Sequence, residues 1–489
     1  MTQTSTSGPV QVFPQSADDA LGLDRFAVGQ SVSRAEDPVL LRGEGRYSDD
    51  VSLPGQVHAA FVRAREAHGV IRDIRTARAR AMKGVLLVIT QADLDAAGFG
   101  EIRTKVPIRQ PDGRTPPSRP PLARGKVRFS GEIVACVVAR TLDQALDAAE
   151  AVELDIDALP AVTLASEADA PGAPQLFESV PGNVIYDYRY GDEAAVAAAF
   201  ERAHHVTRLG LRNTRLVVNP LEPRSALCSY DAREKRYTLR AACQGVKGLQ
   251  ANIASDLLQA PASAMRVLTG QIGGSFGLKG AVFPEYACLL HACRRLRRPV
   301  KWTDRRSDSF LGDYHGRDDE RLGELALDRR GRILALRISG HGNLGAYVTA
   351  VGTMASTSNV PKNAAGVYAT PVMAVHSRTM VTNTVPIGPY RGAGRPEANY
   401  FMERLMDVAA AETGIDRITL RRRNHIRPSM LPFTAASGLV YDSGDFPAVL
   451  DRALEASDWK GFGKRKAASR RRGLLRGIGL GQFLEGTAA

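Results

Sequence analysis

Two glycine-rich stretches carry the residues best suited to holding a ligand. The first is Gln271-Ile272-Gly273-Gly274-Ser275-Phe276-Gly277-Leu278-Lys279, and the second is Pro389-Tyr390-Arg391-Gly392-Ala393-Gly394-Arg395-Pro396-Glu397. Glycines let the main chain come close to a ligand, and successive free N–H groups can surround an anion. Small residues beside Arg391 leave room under its guanidinium, and a helix opening directly after that loop adds donors and partial positive charge. Alone, the first stretch reads more readily as a tight strand-to-helix turn, and the second equally well as a structural loop. The glycines at 270, 273, 274 and 277 miss the GxGxxG spacing, and no GK[ST] is present, so neither a dinucleotide fingerprint nor a Walker A loop is spelled out. Asp304, one strand later, keeps a ribose-binding acid as a minor alternative.

These stretches need elements to position them. Around the first, the pattern reads strand (265–268), loop (270–277), helix (284–296) and strand (299–303), which is one βαβ unit. After the second, a helix is expected over 396–413. It has Pro396 in its first turn, an apolar stripe of Phe401, Leu405, Val408 and Ala409, and Gly414 as its stop. Upstream, Leu53-Pro54-Gly55 opens a strand at 56–63, and the apolar runs 84–90 and 133–139 read as buried strands. A helix is expected over 141–152 and a strand over 237–242. The Pro-rich stretch 107–121 reads as a loop, and the Pro/Ala/Gly-rich stretch 159–174 as a domain boundary.

With 489 residues, 44% hydrophobic and 24% charged, the chain must be a multi-domain globular protein, and the alternation of strand, helix and loop makes its class α/β (α+β). No run approaches ~18 apolar residues, and residues 1–20 lack an apolar signal region, so no membrane span and a cytoplasmic location are expected. The net charge of +13 is spread along the chain, except for a knot at Lys464, Arg465, Lys466, Arg470, Arg471, Arg472 and Arg476. That knot reads as a solvated face, and no nucleic-acid partner is expected. Cys136, Cys228, Cys243, Cys288 and Cys293 show no Cys-x-x-Cys spacing, which excludes a zinc ribbon or iron–sulfur site here and leaves buried thiols. No HExxH occurs among the nine histidines, which read as structural.

Further motifs follow one another in a telling order. They are Gly43-Glu44-Gly45-Arg46-Tyr47-Ser48-Asp49-Asp50, Leu53-Pro54-Gly55, Phe61-Val62-Arg63, Gly125-Lys126-Val127-Arg128-Phe129 and Gly131-Glu132, then Leu221-Glu222-Pro223-Arg224, Gln244 and the first glycine-rich loop. Arg298-Pro299-Val300-Lys301-Trp302, Gly345-Ala346-Tyr347, the second loop and Leu420-Arg421-Arg422-Arg423-Asn424 complete the series. In this order the chain resembles the large, molybdopterin-binding subunit of the molybdenum hydroxylases, the xanthine dehydrogenase and aldehyde oxidase family with its carbon monoxide dehydrogenase-like branch.

The resemblance implies a flexible lead-in (1–24), an α/β hammerhead domain (25–165), a first molybdopterin-binding domain (166–450) and the opening of a second (451–489). It implies a molybdenum–molybdopterin dinucleotide cofactor whose metal is held by the pterin, so no protein metal ligand is expected. Cofactor contacts carry over to Gln244, as donor to a molybdenum oxygen ligand, and to Gly274, Ser275, Phe276, Gly277, Arg391, Gly392 and Ala393. The implied reaction hydroxylates an aldehyde or N-heterocycle with oxygen from water, a glutamate serving as base. Electrons would leave through [2Fe-2S] clusters and FAD on an iron–sulfur subunit and a FAD subunit.

Position 392 is Gly where the carbon monoxide-oxidising branch places a copper-ligating cysteine, and position 280 is Gly where purine hydroxylases place a glutamate. Neither carbon monoxide nor xanthine is therefore the expected substrate. The motif Gly477-Ile478-Gly479-Leu480-Gly481-Gln482-Phe483-Leu484-Glu485-Gly486-Thr487 resembles the opening strand of the second domain. The base glutamate would then lie on a separate C-terminal half, while Glu44, Glu222 and Glu285 read as structural. The alternative is a non-catalytic remnant or assembly scaffold. Either way, the enzyme reading requires the turns around Phe276 and Arg391 to converge, with Gln244 facing them.

Overall fold

The computed structural model describes residues 34–105 and 115–485. The expected lead-in, part of the Pro-rich loop, and Gly486 and Thr487 lie outside them. The chain forms two compact units that divide at Arg46 and Tyr47. In the first, the helix Asp37–Leu41 is followed by Arg42, whose guanidinium donates twice to Glu44 at 2.9 Å.

The second unit is built on two large sheets. The strand Ile133–Ala139 is buried at every position, as its unbroken apolar sequence requires when both faces are covered. It lies between Val57–Arg63 and Val85–Ile89, both antiparallel to it. Val57–Arg63 then pairs in parallel with Val300–Thr303, matching Val57 to Val300 and His58 to Lys301. Beyond it the sheet continues through Ser225–Asp231, Arg236–Ala241 and Met265–Leu268, giving seven strands. Strands from both sides of the 159–174 stretch thus share one sheet.

The helix Pro284–Leu296 covers one face of this sheet with Cys288, Leu289 and Cys293, and the helix Leu142–Glu150 covers the other with Ala145 and Ala148. All five cysteines are buried and free, as expected. The βαβ expectation is corrected in one respect. Met265–Leu268 and Val300–Thr303 do run parallel, but Arg236–Ala241 and Ser225–Asp231 stand between them. That antiparallel pair is made by a short hairpin, which a local reading of strand, helix and strand does not register.

The second sheet has the order Val184–Gly191, Met373–Val381, Ile333–Gly345, Asp319–Leu327 and His205–Asn213. The helix Arg395–Thr413 packs on it through Met402, Leu405 and Met406, and the helix Glu193–Glu201 covers the opposite side. Gly414 ends the long helix with φ +69°, a left-handed value that a glycine stop permits. The basic knot falls on the helix Phe462–Arg471 and the turn after it, and most of these side chains are exposed, as expected. Residues 477–485 form no strand, because no neighbouring strand edge among the described residues pairs with them. Instead Leu484 packs against the second core and Gln482 Nε2 donates to the Tyr368 hydroxyl at 3.3 Å. Among the described residues no helix is long and apolar enough to cross a membrane.

Candidate cofactor site

The strand Met265–Leu268 delivers the chain into the first glycine-rich loop. Gly274 and Gly277 adopt φ +99° and +101°, and Phe276 is held at φ +51°, a left-handed value unusual for a large side chain. Gly277 has a second reason to be glycine, since a Cβ there would lie 2.9 Å from both Cβ and the carbonyl oxygen of Pro389. The loop is braced from inside by a relay. The Lys279 N–H donates to Ser275 Oγ at 3.1 Å, and Ser275 Oγ donates to Gln244 Oε1 at 2.8 Å. The Gly277 N–H also donates to Gln244 Oε1, at 3.1 Å. With two donors fixing its oxygen toward the loop, Gln244 presents its NH2 outward.

The second loop leaves the strand Met373–Val381 and is pinned by side chains from elsewhere. Arg215 donates to the Val385 carbonyl at 2.7 Å and to Thr384 Oγ1 at 2.6 Å. The His315 N–H donates to the Pro386 carbonyl, and the His315 carbonyl accepts from Gly388 N–H. Arg317 reaches the Tyr390 carbonyl (3.2 Å), the Arg391 carbonyl (2.9 Å) and both Glu397 oxygens (3.1 Å), and its guanidinium lies 4.5 Å from the Tyr390 ring centroid. Glu397 in turn accepts from Gly394 N–H at 2.8 Å and caps the long helix. Burial raises the Glu397 carboxyl, and Arg317 opposes the rise. Gly392 and Gly394 both take φ +91°, and Ala393 takes +41°.

The two loops meet directly: the Arg391 N–H donates to the Phe276 carbonyl at 2.9 Å. Several of their groups are donors without partners. The N–H groups of Gly274, Ser275, Phe276 and Gly392 find no acceptor among the described residues, and neither does the Arg391 guanidinium. The nearby acids are neutralised, Glu222 by Lys279 and Glu397 by Arg317. A surface of amide donors and one unpaired cation suits oxygen-rich, anionic groups. A cavity of about 380 Å³ opens beside Gln244, Gly277 and Gly280, walled by Val282, Tyr314 and Val348. A second, of about 520 Å³, is lined by Arg391, Tyr400 and the segment at Gln482 and Phe483.

The sequence-derived site residues therefore come together, with the rim of the first cavity formed by Gln244 and Gly277. The three structural glutamates also have defined partners. Glu44 is held by Arg42, whose hydrogen bond lowers its pKa. Burial would raise Glu285, but Arg224 and Arg63 outweigh it and bring the carboxyl to about 2. Asp304 does not offer a ribose site: it is buried beside Arg224 and Arg63 and accepts from Ser309 Oγ at 2.8 Å. Burial, opposed by those arginines, raises it to about 6. Arg317 and Arg215 carry no sequence signal, because the carbonyls they hold lie far along the chain. No group of three or more potential metal-ligating side chains occurs among the described residues.

A sheet-anchored pair of donor loops of this kind is suited to an anionic ligand. Residues 176–425 match the model of the molybdopterin cofactor-binding domain, and residues 42–160 match that of the aldehyde oxidase and xanthine dehydrogenase a/b hammerhead domain. The chain belongs to the molybdopterin-binding large subunits of the molybdenum hydroxylase family, a family of oxidoreductases.

Among its relatives is the nicotine 6-hydroxylase large subunit of Paenarthrobacter nicotinovorans, 33% identical over 95% of this chain and 56% of that protein. The carbon monoxide dehydrogenase large chain of Hydrogenophaga pseudoflava is 32% identical over 92% of this chain and 57% of that protein. The solved structure of quinoline 2-oxidoreductase from Pseudomonas putida 86 superimposes with a TM-score of 0.83 and 33% identity, covering 91% of this chain and 56% of that one. The chain thus spans little more than half the length of each of these three.

Proposed function

We propose that this chain is the cofactor-gripping portion of a molybdenum-dependent hydroxylase acting on an aldehyde or N-heterocycle. The observation that carries this reading is the Arg391 to Phe276 hydrogen bond, which joins two donor loops beside a substrate-sized cavity. When bound, the molybdenum–molybdopterin dinucleotide supplies two-electron oxidation of an electrophilic carbon with oxygen from water.

The chain's own residues supply grip and shape. Gly274, Ser275 and Phe276 offer main-chain N–H donors, Gln244 an amide NH2, and Arg391 a guanidinium; Gly277, Gly392 and Ala393 keep the loops close enough to use them. Among the described residues the one carboxylate lining the cavity is that of Asp256, which is paired with Lys105 Nζ at 3.3 Å.

Gly392 lacks the thiol that a copper site needs. A Cβ there would lie 2.5 Å from the Pro396 ring at φ +91°, so the loop in this conformation has no room for one. Nor does Gly280 supply the carboxylate seen in purine hydroxylases. This disfavours carbon monoxide and xanthine, and it leaves the nicotine- and quinoline-oxidising relatives as the better guides to substrate. Electrons would pass to [2Fe-2S] and FAD subunits. The free, buried thiols suit a reducing cytoplasm.

The test is metal analysis of the purified complex that unites this chain with a second molybdopterin-binding domain and the partner subunits. Stoichiometric molybdenum is the expected result. A stable, metal-free complex would instead favour the scaffold reading.

A further inference from the structure

A lysine closing a glycine-rich loop commonly reaches out to a bound phosphate. Lys279 does the reverse. Its side chain is 1% exposed, and Nζ donates inward to the Glu222 carbonyl at 2.9 Å and to Glu222 Oε2 at 2.8 Å. The same Oε2 accepts from the Gly273 N–H at 2.9 Å, while the Glu222 N–H donates to the Gly273 carbonyl at 3.0 Å. One carboxylate therefore holds the loop's first residue directly and its last through Lys279. Gly273 fits against it only as glycine, since a Cβ would stand 2.5 Å from Glu222 Cβ.

The base of this arrangement is itself fixed. Arg306 donates to the Pro220 and Leu221 carbonyls at 2.7 and 3.0 Å and to the Asn219 side chain at 2.5 Å. Two residues on, Arg224 is buried in the Glu285 and Asp313 carboxylates. Burial pushes the Lys279 ammonium down and Glu222 opposes it, as for a charge kept inside by its partner.

We infer that Glu222 and Lys279 are a positioning pair, a buried clamp across the mouth of the 273–279 loop that sets where Phe276 and Gly277 stand and so holds the second loop through Arg391. Neither residue touches the ligand. The inference deepens the functional reading above and rests on it for its purpose, but the clamp is a property of this chain alone.

Amide hydrogen exchange on the chain without cofactor tests it. The N–H groups of Leu278, Lys279 and Arg391 are bonded through the clamped loop, whereas the strand Met373–Val381 is paired with Ile333–Gly345 and Val184–Gly191 in the second sheet. Glu222→Ala should accelerate exchange at Leu278, Lys279 and Arg391 by about tenfold or more, the factor expected on losing a charge-assisted hydrogen bond. The 373–381 strand should be left unchanged. Glu222→Gln, which retains an acceptor of the same shape, should restore most of the protection, and Lys279→Met should open the same three positions from the other end. Unchanged exchange in both Glu222→Ala and Lys279→Met overturns the clamp, as does acceleration spread equally over 373–381. A complex that folds with the clamp intact and takes up no molybdenum would sink the functional reading instead.

Discussion

The Arg391 N–H and the Phe276 carbonyl are joined by a 2.9 Å hydrogen bond, so two loops far apart in sequence meet at a single backbone contact. The main chain of Arg391 does structural work in this contact, while its guanidinium has no partner among the described residues. Arg391→Ala should therefore leave stability within ~0.5 kcal/mol of the parent, as for a surface substitution. Loss of a charged hydrogen bond to a cofactor oxygen, about 1.5–3 kcal/mol, should lower cofactor retention roughly tenfold to a hundredfold. Urea melts and molybdenum analysis of the assembled complex measure the two effects separately.

Gly277 should tolerate no side chain. A Cβ there meets Pro389 at 2.9 Å, and φ +101° is unfavourable for any L-residue. Gly277→Ala should cost roughly 1–3 kcal/mol from the backbone alone and disturb the contact with the second loop. The midpoint of urea unfolding gives the cost, and chemical-shift changes at Arg391 report the disturbance.

Arg317 fastens the second loop and is the counter-charge of buried Glu397. Arg317→Met leaves that carboxylate unpaired and two carbonyls without their donor, and should cost about 3–5 kcal/mol. Arg317→Lys keeps the charge but not the fork that reaches Tyr390, Arg391 and Glu397 together, so it should restore only part of the loss. Thermal unfolding of the three proteins side by side tests the ranking.

His315 should make the chain acid-sensitive. Burial and the adjacent Arg215, opposed by the Phe310 carbonyl, hold its pKa down at about 4. A neutral ring with its proton on Nε2 satisfies both neighbours, donating to the Phe310 carbonyl at 3.2 Å and accepting from Arg215 Nη1 at 3.4 Å. Above pH ~6.5 the ring is neutral whether folded or unfolded, so it contributes no pH dependence there. As pH falls from there toward 4, only the unfolded chain takes up the proton, and stability drops by up to ~3 kcal/mol. Asp304, raised to about 6, works in the opposite sense, because its folded form takes up a proton first as pH falls. His315→Gln should flatten the decline of unfolding free energy between pH 6.5 and 4, and a slope equal to the parent's would remove His315 as its source.

Much of this protein is local in origin and was legible in the chain. The helices at 284–296 and 395–413, the buried strand at 133–139 and the two glycine-rich loops each follow from patterns spanning fewer than about twenty residues, the range over which periodicity, caps and turns act. The family was legible too, through the order of short motifs. What tertiary structure alone decided is how distant pieces meet. Arg391 bonds Phe276, Gln244 turns its oxygen to Ser275 and Gly277, Glu222 locks Lys279 inward, and Arg317 reaches around to Tyr390. A short hairpin inserted two strands where the sequence read one βαβ unit. Such pairings are set by which surfaces close the core and by where buried charges find partners, and neither is encoded within any one segment.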